Sequence, residues 1–328
     1  MNKSHKFAFF LLFIVILSCT EEKKEVTSTD SIIVPKLDTI QIENELLEVK
    51  MIVSNEDYIF FISPSVNDGI FKVFSSDLTE HLGSFGTKGD GPNEFNQIIY
   101  SSLIVADEHL IVTDMKNIRL FDLKGNFEKR IDDIRPSKTI RIPEKLIPLN
   151  GLIYIDENTI GGQVDFSLNE FTFQNLETEE TFEKPDYPTF VENIPATAKH
   201  HLYQSNLTQH PDKALIATIY RNFPKMRIYD YNTNNHIITS FDAKNKQVAV
   251  KVTAQERSVK SFDLVKYQRT VKSNQNYIVS LYNESKVEKV FDEENPERYQ
   301  YEMKTLAQPL FQIVDWEGAH IASVEIPE

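Results

Sequence analysis

The chain has 328 residues, 35 basic and 49 acidic, for a net charge of −14 at pH 7, and 41% of it is hydrophobic. Negative charge on this scale repels nucleic acid and anionic lipid surfaces, so neither is an expected electrostatic partner. A single cysteine excludes an internal disulfide, and the fold must therefore be held by its own core.

In chain order, Lys3 and Lys6 precede an unbroken apolar run from Phe7 to Leu17, followed by Ser18 and Cys19. A basic start, a short apolar stretch and a small residue before a cut describe a secretory signal peptide over residues 1–18. The run is too short for a membrane-spanning helix, which needs about 20 apolar residues. Ile16-Leu17-Ser18-Cys19 resembles the lipobox of bacterial lipoproteins. The resemblance implies cleavage between Ser18 and Cys19, lipid attachment at Cys19 and membrane contact through acyl chains. An ordinary signal peptide with a chance cysteine is the alternative.

Residues 19–36 read as a polar, aperiodic tether, with the lipidated N-terminus that the resemblance implies at its start. Roughly 16 residues at about 3.5 Å each reach about 55 Å from a bilayer. Glu21 and Glu22 resemble signals that carry some Gram-negative lipoproteins to the outer face, although a solvated linker reads the same way. The expected location is the cell envelope, as an outer-membrane lipoprotein facing the periplasm or the surface.

Residues 37–328 read as one all-β domain. Short runs rich in Ile, Val, Phe and Tyr, such as Tyr58 to Ile62 and Tyr277 to Tyr282, are separated by Asn, Asp and Gly turns. A hairpin pattern recurs: Ile70 to Phe85, Ile118 to Ile131, Phe171 to Phe182, Met226 to Phe241 and Phe311 to Ile326. Taking Phe74, Phe121, Phe173 and Tyr229 as equivalent gives spacings of 47, 52 and 56 residues. A period of that length, with about four strands per unit, is the signature of a β-propeller, because packing blades face to face buries both sides of each sheet. One Trp and no repeated Gly-His and Trp-Asp pair argue against a WD40 propeller.

Gly83-Ser84-Phe85-Gly86-Thr87-Lys88-Gly89-Asp90-Gly91-Pro92-Asn93-Glu94-Phe95 resembles the G-x-x-G-x-G-P-x-E-F segment of the TolB-like six-bladed propeller lipoproteins of Gram-negative bacteria, distantly related to NHL-repeat propellers. The resemblance implies six four-stranded blades. Five modules are visible, at about 46–86, 96–131, 149–184, 200–241 and 260–326. Leu37 to Ile42 is the segment that could help close the ring.

Among candidate sites, Gly86, Gly89 and Gly91 fit neither G-x-G-x-x-G nor a P-loop and read as turn glycines between blades. Lys88 and Asp90 on that connection could line a binding mouth. His200, His201 and nearby His210 form the densest histidine group. Read as strand neighbours, His200 and His201 point to opposite faces and make a poor metal pair. Tyr220 and Arg221, with Phe223, could form an aromatic-cationic rim for a saccharide or peptide, or an ordinary turn. No metal, cofactor or catalytic residue is assigned, and there is no G-x-S-x-G elbow. The expected function is a binding module for a partner protein or a small ligand. A hydrolase or lyase acting on glycans or peptides is the alternative, and a purely structural envelope component is a third reading.

Overall fold

The computed structural model of the chain describes residues 25–27, 32–33, 49–63, 69–105, 108–124, 134–146, 149–164, 167–243, 265–291 and 299–325. Ser18, Cys19 and Leu37 to Ile42 lie outside the described residues. The first elements are two short strands, β1 (Glu25–Thr27) and β2 (Ile32–Ile33).

The period-two runs then fold into five sheets of consecutive antiparallel strands. The first holds β3 (Met51–Ser54), β4 (Tyr58–Ile62), β5 (Phe71–Ser75) and β6 (His81–Phe85). The second holds β7 (Ile104–Val105), β8 (His109–Thr113), β9 (Asn117–Asp122) and β10 (Lys138–Arg141). The third holds β11 (Leu149–Asp156), β12 (Thr159–Val164), β13 (Thr172–Asn175) and β14 (Thr181–Glu183). A helix, α1 (Ala196–Leu202), leads to the fourth: β15 (Ser205–Gln209), β16 (Leu215–Tyr220), β17 (Lys225–Asp230) and β18 (His236–Ser240). The fifth contains β19 (Val265–Ser273), β20 (Tyr277–Phe291), β22 (Leu310–Asp315) and β23 (His320–Glu325), while β21 (Tyr299–Thr305) pairs with the far half of β20 as a projecting hairpin.

These sheets are propeller blades. Phe71, Lys72, Val73 and Phe74 of β5 are all buried, so both faces of the strand are covered. Four apolar clusters each join one blade to the next: Phe71, Phe85, Leu110 and Phe121 between the first and second, Ile118 and Ile160 between the second and third, Phe173 and Tyr229 between the third and fourth, and Ile228, Tyr267 and Val314 between the fourth and fifth. Phe85 meets Phe121 across the first of these, with ring centroids 5.4 Å apart. The third strand of several blades buries a polar or basic residue at one register position: Lys72, Arg119, Arg227 and Gln312. Arg119 is paired with Asp114, and Arg227 with Glu170.

Three sequence expectations change. The outer strand of the second blade is Lys138–Arg141, paired with Asn117 to Leu120, while Phe127 to Ile131 lie outside the described residues. His200 and His201 stand in the last turn of α1, not on a strand, because Pro195 opens the segment and Ala196 and Ala198 favour helix. Their rings therefore lie side by side, with centroids 3.8 Å apart. Part of the expected tether is also paired: β1 runs parallel to β18, and β2 parallel to β23, as extra edge strands on the fourth and fifth blades. An unpaired outer strand exposes a row of amides and carbonyls, and these two segments cover it.

Candidate functional site

In a four-stranded antiparallel blade, the turns between strands one and two and between three and four lie at one end. The turn between strands two and three and the crossover to the next blade lie at the other. The innermost strands, β3, β7, β11, β15 and β19, surround the axis. β7 has only two residues, and the 3-10 turn Tyr100–Ser102 before it lies against β11 and β15. This turn plugs the axis. Ser102 Oγ accepts a hydrogen bond from Leu152 N at 2.8 Å, and Lys272 Nζ donates to Tyr100 O at 3.2 Å and Leu103 O at 3.4 Å.

Polar side chains staple adjacent inner strands around the plug. Gln209 Nε2 donates to Tyr154 O, and Gln209 Oε1 accepts from Tyr154 N, both at 2.6 Å. Ser273 Oγ donates to Gln209 O at 2.9 Å and lies 2.8 Å from Thr208 Oγ1.

Above the plug is a funnel of about 200 Å³, bounded by β3, β7, β15, β19 and the start of β20. Ile52, Leu103, Val105 and Val279 supply apolar wall, Ser54, Thr208, Gln209 and Asn274 polar wall, and Tyr277 the rim. Lys272 is the one charged residue among the described lining. Burial pushes its amine down to about 8. The mouth opens at the end bearing the strand-one-to-two turns. There a second cavity of about 160 Å³ continues between Asn55 and Gln275.

Those turns share a device. Asn55 Oδ1 accepts from Asp57 N and Tyr58 N, and Asn274 Oδ1 accepts from Asn276 N and Tyr277 N. His210 does the same with Nδ1, which accepts from Asp212 N at 3.0 Å and Lys213 N at 3.2 Å. Burial lowers the basicity of this ring. His210 is thus a turn former, packed on Trp316.

Apart from His210, the residues singled out in the sequence fall at the opposite end and form two separate groups. Lys88 and Asp90 sit on the crossover after the first blade; Asp90 pairs with Lys116 at 3.2 Å, both side chains largely exposed. The glycine-rich run is a folded-back turn: Thr87 N donates to Asn93 O, Phe95 N to Thr87 O, and Glu94 Oε2 accepts from Gly91 N at 2.8 Å. His200 and Arg221 line one cavity of about 120 Å³ with Gln163, Tyr187, Tyr203 and Ser205. Arg221 Nη2 donates to Asn206 Oδ1 at 2.8 Å. Tyr220 and Phe223 do not join a rim. Both are buried, in an aromatic cluster with Tyr187, Leu202 and Tyr203.

Lys272 and the plug escaped the sequence reading. In Val265 to Ser273, apolar and polar residues alternate, and the polar half reads as solvent-facing. On this innermost strand Lys272 and Ser273 line the axial funnel instead. Among the described residues no group of three or more His, Cys, Asp or Glu stands ready to hold a metal ion.

A family model described as TolB-like 6-blade propeller-like matches residues 30–325. No curated protein matches the chain. Among solved structures, a member of the DUF4221 family from Bacteroides vulgatus is similar with a TM-score of 0.50 and 10% identity, over 84% of this chain and 80% of that one. A Bacteroides fragilis protein classed as exported is similar at a TM-score of 0.47 and 10% identity, over 92% and 79%.

Proposed function

The chain belongs to the TolB-like 6-blade propeller-like family, and from that premise we propose an exported, acyl-anchored propeller that binds a partner or small ligand at the mouth of its axial funnel. Fold alone does not assign a reaction. The observation that supports binding is the funnel itself: four blades contribute to it, a plug closes its floor, and its wall mixes apolar surface with a few polar groups. Ligand sites are typically concave, mainly apolar and pre-formed in this way. The signal sequence and Cys19 support export and anchoring through the lipobox resemblance.

Labelling with a palmitate analogue should mark the wild type and spare Cys19→Ala; equal labelling overturns the anchor. Affinity purification from native membranes should recover a reproducible partner or ligand that Ser54→Trp, which fills the funnel mouth, loses. Recovery of nothing, or equal recovery by the variant, overturns the binding reading.

A further inference from the structure

We infer that the funnel takes a small organic carboxylate whose anionic group docks on the ammonium of Lys272, an inference that rests on the funnel being a ligand site. The two buried arginines on third strands carry their own counter-charge: Asp114 faces Arg119, and Glu170 faces Arg227. Lys272 has none among the described residues. Its ammonium has three donors, and two of them reach the carbonyl oxygens of Tyr100 and Leu103 over long distances of 3.2 and 3.4 Å. The third is left for the cavity that Lys272 lines.

A buried charge without a partner is costly, and the depressed basicity of this amine, which burial alone causes, is that cost expressed at equilibrium. A carboxylate entering the funnel supplies the missing charge and a charge-assisted hydrogen bond. One cation matches a monoanion; a doubly charged phosphate calls for more positive charge than this wall provides. The volume of about 200 Å³ is the space of about six or seven waters at roughly 30 Å³ each, which suits a small acid. Ile52, Val105 and Val279 offer apolar surface to a short hydrocarbon tail. A four-carbon acid is a probe of matching charge, size and polarity. The titratable neighbours are Tyr100 on the plug, Tyr277 at the rim, Lys50 near Tyr100, and, at the adjoining cavity, Glu56 and Asp212, the latter accepting from Gln275 Nε2 at 3.1 Å.

The test is an NMR titration of the Lys272 side-chain signals in the full chain, with butyrate and with its neutral isostere butyramide. Butyrate is expected to shift those signals saturably and to raise the midpoint of the amine above about 8, because an anion favours the charged form. Butyramide should do neither. Lys272→Gln should weaken butyrate binding about tenfold or more, the usual worth of a hydrogen bond to a charged group. The wild-type titration stands even where the variant loosens the plug. No response to butyrate overturns the inference, and so does equal binding of butyrate and butyramide. A native ligand lost in Ser54→Trp but indifferent to Lys272→Gln also overturns it, while leaving the binding reading in place.

Discussion

Tyr220 and Glu170, 50 residues apart, meet at the interface of the third and fourth blades, where Tyr220 Oη donates to Glu170 Oε1 at 2.7 Å. The other carboxylate oxygen accepts from Arg227 Nη1 at 2.8 Å, and Arg227 Nη1 also donates to Asp186 O. Burial and the neighbouring carboxylate raise the Tyr220 phenol well above its ordinary range. One acidic side chain thus ties β16 and β17 to the connection preceding β13.

Glu170→Ala should therefore be among the costliest single changes in the fold. It strands the buried Arg227 guanidinium, a situation that costs about 3–5 kcal/mol. Glu170→Gln keeps an acceptor and should lose less. Urea denaturation measures both; an alanine variant within about 1 kcal/mol of wild type would show that the guanidinium finds another partner.

The plug yields a second prediction. Ser102→Ala removes the acceptor of Leu152 N in a buried setting, and an unmet buried donor costs about 1–3 kcal/mol. Hydrogen exchange at the Leu152 amide should accelerate along with the stability loss. Unchanged protection there would argue that the amide is satisfied without Ser102.

In the glycine-rich turn, Gly86 has φ +79°, and a Cβ on it would lie 2.9 Å from Phe95 Cε2 and 3.2 Å from Phe71 Cδ2. Gly86→Ala should cost about 1–3 kcal/mol through backbone strain and overpacking. At Gly91 the added Cβ meets only the flexible Glu94 side chain, 3.0 Å away, so Gly91→Ala should lose less. Thermal melts rank the pair, and the reverse order would contradict this account of the turn.

Stability should rise and then fall on the alkaline side. Burial lowers Lys266 and Lys272 from 10.5 to about 8, with the charge of Arg221 adding to the effect on Lys266. Between those values the unfolded chain keeps protons that the folded chain has released, so stability increases with pH. Burial raises Tyr229 and Tyr267 from 10.0 to about 12. Above pH 10 the folded chain keeps protons that the unfolded chain loses, so stability declines. Urea midpoints across the range should trace the rise and the turnover. A Lys266→Met, Lys272→Met double variant should lose the rise and keep the decline.

Much of the ring was legible in sequence because short runs rich in β-branched and aromatic residues, such as Met226 to Asp230 and His236 to Ser240, recur in pairs separated by polar turns. Lys138–Arg141 was not, since four residues with two charges carry little periodic signal against the more apolar Phe127 to Ile131. His200 and His201 misled because a seven-residue helix is too short to show its own period. The funnel was hidden for a different reason. Its residues, Ser54, Thr208, Gln209 and Lys272, come from three different blades, and no local pattern marks the polar half of an innermost strand. The chemistry of Glu170 and Tyr220 depends equally on two blades meeting.

The parallel sense of β1 sets an orientation as well as a distance. β18 runs from the funnel end of its blade to the opposite end, and Glu25 to Thr27 follow it in the same direction. Glu25 therefore stands at the end of this edge strand nearer the funnel mouth. Cys19 lies six residues upstream, a span of at most about 20 Å. The end of β1 bearing Glu25 and the funnel mouth thus lie on the same side of the ring, and the face carrying Lys88, Arg221 and α1 lies on the other. Whatever the chain before Glu25 is attached to, it joins the ring on the side from which solutes reach Lys272, while the crossover face lies away from that junction.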